Sequence, residues 1–319
     1  MTNASYSTNN QVPLTFFQLR LILALFSLLL SAFAYYNDDI INSDGILYMH
    51  MAEAYLQGGL AATASLYDWP FFSILIALLS NITGLPLETS SMLLNSVLFA
   101  IFTDALLLIS SKLLATQRQL IIAAVLILFF YSINDYRDFI IRDIGYWAFI
   151  SLALWQFINF IDARRLHHAL GWQLLAGVAL LFRIEAAIIL LLLPLFMLAT
   201  RPWKAAFHSL FQLYIIVLLT TLLLAMIVMI SAGSGTEAFG KIGSILQYLD
   251  LTAYAARFDH HSALIAKQIL HPVADDEAGV MLFSGMTGIL LYQLVTGLSA
   301  SYLILLLLSR KQPTHLFYS

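Results

Sequence analysis

The chain has no cysteine, which excludes disulfides, thiolate metal sites and thiol nucleophiles. Charge is scarce: 10% of the 319 residues are Asp, Glu, Lys or Arg, where soluble domains carry roughly 25%. No basic stripe or nucleic-acid motif occurs, so no nucleic-acid partner is expected. Lysine and arginine are missing in particular from residues 43–59, "SDGILYMHMAEAYLQGG", which follow a long apolar run. That stretch opens on an acid, Asp44, with Asp38 and Asp39 just before it. A chain that leaves a bilayer through carboxylates alone is either decorating a solvated loop or placing acids where chemistry is done.

What is abundant is apolar. Hydrophobic residues make up 61% of the chain and the mean hydropathy is +0.86. A spanning helix needs about 20 mostly apolar residues. Runs 17–36, 88–111, 118–134, 144–162, 167–183, 185–200, 206–231 and 280–308 meet or approach that length, and predict eight spans. Residues 69–85, "WPFFSILIALLSNITGL", are either a ninth span or a helix lying in the outer interface.

Charge bias separates the two. With 69–85 kept out of the count, one side receives Arg20, Lys112, Arg118, Arg164, Arg165, Arg201, Lys204, Arg310 and Lys311 with a single acid, Asp162. The other side receives sixteen of the eighteen acids, and Asp104 lies within a span. Counting 69–85 as a span inverts every later loop, against the positive-inside rule. The expectation is an N-in, C-in membrane protein with external loops at about 37–87, 134–143 and 232–279. Arg20, the run 21–31 and "AFA" (32–34) resemble a signal peptide, but the polytopic context favours a retained anchor.

From Asp44 onward, Leu47, Tyr48, Met51, Ala52, Tyr55 and Leu56 recur at helical spacing, while His50, Glu53 and Gln57 fall toward the other face. The pattern predicts an interfacial helix ended by Gly58 and Gly59. Ser43 or Asp44 can cap its N-terminus, where the unpaired N–H groups favour a carboxylate. On spacing alone, Asp44 is better explained by capping than by catalysis.

Three quoted motifs move that balance. Asp44, Tyr48, Ala52 and Gly58 followed by "DWP" (68–70), then "YRDFIIRD" (136–143), then "LLAGVALLFRIEAAIILLLLP" (174–194) together resemble the GT-C class of membrane glycosyltransferases. These enzymes use polyprenyl-phosphate-linked sugars and include protein O-mannosyltransferases and lipid A aminoarabinose transferases. The likeness covers about residues 20–200. It implies an all-α integral membrane protein with juxtamembrane helices in the first external loop. On this reading residues 1–205 form a GT-C-like module, and 206–319 form C-terminal helices with the loop 232–279.

The resemblance implies a general base at Asp44, with Asp38 and Asp39 as alternatives. The base would take the proton of an acceptor hydroxyl as it attacks the anomeric carbon, and polyprenyl phosphate would leave from the opposite face. A carboxylate partly withdrawn from water is a stronger base. The leaving phosphate calls for a cation, and a guanidinium matches its oxygens as a fork. Arg183, beside Glu185, is the first candidate; Arg142 and Arg137 are alternatives, and Tyr48 and His50 would contact substrate. Pairing of Arg183 with Glu185 or with a lipid headgroup is the competing structural account. Asp143 and Asp138 offer oxygens to a divalent ion, which some members of the class require. His260, His261 and His271 with Asp259, Asp275, Asp276 and Glu277 form a second, weaker metal pattern in the late loop.

The expected activity is transfer of a sugar from a polyprenyl-phosphate donor to a glycan, lipid or protein acceptor on the periplasmic face of a bacterial inner membrane. The alternatives are a catalytically inactive GT-C-like scaffold or lipid-binding subunit, and a transporter. Transport fares worst because Asp104 is the sole acid within a span.

Overall fold

The computed structural model describes residues 14–37, 40–67, 69–231, 251–270 and 275–297. Every regular element among them is helical. In chain order they are α1 (Phe16–Asn37), α2 (Ser43–Leu66), α3 (Phe71–Thr83), α4 (Leu87–Leu113), α5 (Gln117–Leu128), α6 (Tyr131–Asn134), α7 (Asp143–Ala163) and α8 (Leu166–Phe182). They continue with α9 (Ala186–Leu192), α10 (Phe196–Thr200), α11 (Trp203–Ser231), α12 (Leu251–Ile265) and α13 (Ala278–Gly297).

Four of these, α1, α4, α7 and residues Trp203–Thr220 of α11, are long and apolar enough to cross a membrane. The fold is that of an all-α membrane protein. Its helices bury small and polar side chains alongside apolar ones while leaving large apolar residues outside. On α1 the buried stripe is Leu19, Leu23, Ser27 and Ser31, four residues apart, while Leu21, Leu25, Phe26 and Leu29 face outward. On α4 the interior takes Ser90, Ser91, Asn95, Ser96 and Thr103. Lipid tails solvate leucine as well as a protein core does, so small and polar side chains are the ones that gain by facing a neighbouring helix.

Where the helices break, the cause is local. Gly59 in α2 has φ 67° and ψ −159°, a conformation open essentially to glycine alone, and the chain folds back there. The hydroxyl of Thr63 seals the fold, donating to the carbonyls of Gly59 (3.1 Å) and Met51 (3.4 Å). The predicted helix end at Gly58 and Gly59 is thus a kink, with one further short helical piece running to Leu66. Helix α3 has 13 residues, about 20 Å, too short for a hydrocarbon layer of about 30 Å. Gly84 closes it in the left-handed conformation at φ 72°.

The predicted span 118–134 divides into α5 and α6. Asn134 Nδ2 donates to the carbonyls of Leu128 (2.7 Å) and Phe130 (2.9 Å), capping α5 early. The run 185–200 divides at Pro194, which has no N–H to continue the ladder; the turn Leu193–Leu195 tightens to a 3₁₀ form.

The described residues fall into two compact units, one ending at Val217 and one beginning at Leu218. In the first, α7 and α8 form a hairpin through Arg164, whose φ of 51° is left-handed. Phe157, Phe160, Trp172 and Ala176 fill its interior, and Gln173 ties α8 to α11 by donating to the Gln212 carbonyl at 2.9 Å. In the second, α12 packs against α13. Of the late-loop histidines, His260 and His261 lie exposed on α12, and His271 is outside the described residues.

Candidate functional site

The loop between α6 and α7 decides what the α7 N-terminus presents. Asn95 of α4 donates to the Phe139 carbonyl at 2.7 Å. Asn42, the residue before α2, accepts from the Ile140 N–H at 2.9 Å and donates to its carbonyl at 3.3 Å. With Ile140 and Ile141 buried, the loop is anchored from both sides and delivers Arg142 and Asp143 in a fixed register.

Asp143 opens α7, where a carboxylate is favoured by the unpaired N–H groups. Arg183 ends α8. Its guanidinium is a bridge: Nη1 donates to Asp143 Oδ1, while Nη2 and Nε donate to the two Glu185 oxygens at 2.6 and 3.2 Å. Those hydrogen bonds hold the Glu185 carboxyl below the ordinary carboxylate value and raise the arginine further. Tyr146, one turn into α7, lies within the field of Arg183, Glu185 and Asp143.

Helix α2 supplies the other wall. Arg142 stacks over the Tyr67 ring with its Cζ 5.3 Å from the centroid. Tyr48 is 5% exposed and meets Phe72 edge-on at 5.2 Å. Burial pushes its hydroxyl up to about 12, opposed by Arg142 and assisted by Asp44, Tyr67 and Asp143. Arg142, Asp44, Tyr67 and Asp143 thus all lie within electrostatic range of one buried phenol. Asp44 itself is exposed on the first turn of α2, one turn before Tyr48. It caps nothing through its side chain, since the cap position falls to Asn42 and makes no side-chain cap bond.

Aromatic packing holds the two walls together. Phe182, immediately before Arg183, is fully buried against Phe71 (5.1 Å), Phe149 (5.8 Å) and Phe72 (6.3 Å). Helix α3 thus wedges between α2 and α8 and sets how far Arg183 stands from Tyr48.

The structure joins Asp143, Arg183 and Glu185 by ion pairs and places Tyr48 in the field of Asp44, Arg142 and Asp143. It places the other sequence candidates elsewhere. His50 is exposed and lies about 120° round α2 from Asp44, given 3.6 residues per turn. Arg137 is 2% exposed and spent on α1: Nη1 donates to the Ser27 carbonyl and the Ser31 hydroxyl, both at 2.9 Å. Its Cζ sits 4.6 Å from the Phe99 ring centroid, and burial lowers it to about 10. Asp138 stands near Tyr35 of α1. Asp38 and Asp39 lie outside the described residues. No three of His, Asp or Glu gather as a metal group among the described residues.

Asp104 is paired with Arg20 through two bonds, at 2.7 and 2.6 Å, joining α4 to α1. An apolar groove of about 340 Å³ runs between α1 and α5, lined by Leu23, Phe26, Ile121 and Val125 among others, away from the polar cluster.

Sequence reasoning passed over Tyr67, Tyr146, Asn42 and Asn95. A signal existed for Asn95, an amide inside a predicted span, where a polar side chain seeks a partner across the bundle. Comparison of the chain with protein-family models, with curated proteins and with solved structures finds no match.

Proposed function

We propose that the protein is an integral membrane glycosyltransferase of the GT-C type. It moves a sugar from a polyprenyl-phosphate donor to an acceptor on the external face of a bacterial inner membrane. The observation that carries the reading is the Asp143–Arg183–Glu185 cluster at one end of the α7–α8 hairpin, with Tyr48 of α2, one turn after Asp44, in the field of Arg142 and Asp143. A base and a phosphate-binding cation must stand on opposite sides of one anomeric carbon, and the acids and arginines at this end of the bundle are the groups that could fill those roles.

Asp44, solvated and beside the α2 N-terminus, is the base. Arg142 is the better-placed cation: it leans on Tyr67 rather than on a carboxylate, so a phosphate can take its donors without breaking an ion pair. Arg183 serves as the second cation, with Asp143 and Glu185 holding it in place until the leaving phosphate develops charge. Tyr48, buried and protonated, can donate a hydrogen bond to donor or acceptor. Eight spans with both termini inside complete the proposal, the segments α5–α6, α8, α9–α10 and α13 adding to the four long helices.

One observation favours the second reading, a scaffold or lipid-binding subunit without catalysis: both sides of the Arg183 fork already hold carboxylates. The two are separated by Asp44→Asn in the purified full-length protein. The enzyme reading expects sugar transfer to be lost while thermal unfolding and copurifying polyprenyl phosphate, read by native mass spectrometry, stay as in the parent. Transfer that survives the substitution removes Asp44 as base; a preparation without any polyprenyl phosphate removes the donor class.

A further inference from the structure

The opposite end of the α7–α8 hairpin carries a different concentration of charge. Helix α7 has 21 residues, so this end lies about 31 Å along the axis from Asp143. Segments 110–120, 160–170 and 198–208 meet here, through Lys112 bonding Asp162 at 3.1 Å and Arg201 Nη2 donating to the Ile161 carbonyl at 3.2 Å. They contain six lysines and arginines and one carboxylate, Asp162, which Lys112 already engages.

Arg201 is the unusual member. Its Nη1 is shut off from solvent and has no hydrogen-bond partner among the described residues. Its electrostatic neighbour is another cation, Arg164, projecting from the left-handed residue that closes α7. Arg201 thus reaches the last turn of α7, three residues before Arg164, and keeps an unsatisfied donor there, while the nearby Asp162 is paired with Lys112. Beside them α8 begins with no side-chain cap, so its first N–H groups add to the positive potential. An anion with several oxygens is what this arrangement lacks.

The neighbouring aromatic pair says which kind of anion. Trp203 and Phe207 stack at 5.9 Å on the first turns of α11, 69% and 59% exposed. Exposed aromatic rings at a helix end mark the headgroup level of a membrane. Arg201 lies two residues before them, at the same depth.

We propose that Arg164 and Arg201 bind the phosphate of an anionic phospholipid headgroup at this face. The lipid's acyl chains run down past Trp203 and Phe207, and the headgroup ties the α7–α8 turn to the start of α11. This site is separate from the proposed transfer site and does not depend on it.

The test uses the full chain in detergent, titrated with phosphatidylglycerol in mixed micelles and followed by thermal unfolding and native mass spectrometry. Phosphatidylcholine supplies a zwitterionic comparison, and glycerol 3-phosphate a headgroup without chains. The expected result is stabilisation and retained lipid with phosphatidylglycerol alone. Arg164→Gln weakens the apparent affinity about fivefold, the effect of one basic residue at an anionic surface, and Arg118→Gln on α5 leaves it unchanged. Arg201→Gln abolishes retention if it folds; if it does not, the exposed Arg164 carries the test. Equal stabilisation by phosphatidylcholine, equal stabilisation by glycerol 3-phosphate, or an equal loss in Arg118→Gln would each overturn the proposal.

Discussion

Gly145 offers the sharpest probe of how the site is held. It sits in the first turn of α7, and a methyl group added there would overlap the edge of the Phe182 ring. That ring has nowhere simple to go, since Phe71 and Phe149 hold it at 5.1 and 5.8 Å and it is fully buried. Inserting one methyl into a packed interior costs about 1–3 kcal/mol. The crowding here involves a ring hemmed in on several sides, which argues for the middle of that interval or above. For a unit of about 200 residues, about 2 kcal/mol corresponds to a fall in Tm of roughly 4–8 °C.

The assay is thermal unfolding of detergent-solubilised protein carrying Gly145→Ala, Phe182→Leu, or both. Leucine is shorter than phenylalanine, so the double variant should recover part of the loss. A coupling of at least about 1 kcal/mol is expected for residues in direct contact. Because Phe182 adjoins Arg183, Gly145→Ala should also lower any sugar-transfer activity by more than the stability loss explains. A stable Gly145→Ala protein with additive double-variant behaviour would refute the described contact, and with it the account of how α8 positions its arginine.

Other outcomes follow from single features. Gly59→Ala places a β-carbon in a backbone region nearly closed to it, and should cost about 1–3 kcal/mol in thermal unfolding; Gly177→Ala, in ordinary helical conformation with open space around it, should not carry that strain. Asp104→Leu leaves Arg20 without its partner within a span and should cost about 1.5–3 kcal/mol, while Arg20→Met with Asp104→Leu should regain most of it. The Glu185 carboxyl is held low in the folded protein by Arg183, so its contribution is complete above the ordinary carboxylate value and is lost as pH falls through the depressed one. Scanning fluorimetry from pH 7 to pH 3 should therefore show a shallower acid limb in Glu185→Gln than in the parent, and identical limbs would refute the pairing.

Some of the fold was legible before any coordinates. Apolar runs located the helices because a bilayer imposes both length and composition on a segment that crosses it. The 13-residue α3 emerged where charge bias had rejected a ninth span, and the Gly58–Gly59 pair marked the place where α2 folds back. Helix interruptions inside apolar runs were harder to see. The break after Leu128 depends on one amide, Asn134, reaching back to two carbonyls, which no periodicity records.

The site divides along the same line. Sequence alone determined that acids crowd the stretch after the first apolar run, that arginines lie near predicted helix ends, and that no thiol chemistry is available, because composition and hydrophobic length are local properties. Tertiary structure alone decided which of them meet. Arg137 and Arg142 stand five residues apart in one loop, yet the first is buried against Ser27 and Ser31 while the second leans on Tyr67. Asp143 and Arg183 are forty residues apart and share an ion pair because α7 and α8 return the chain to the same height. Helix length sets where a side chain emerges, but only the packing of Phe71, Phe72 and Phe182 sets what it faces, since contact across a bundle depends on the rotation of each helix about its own axis.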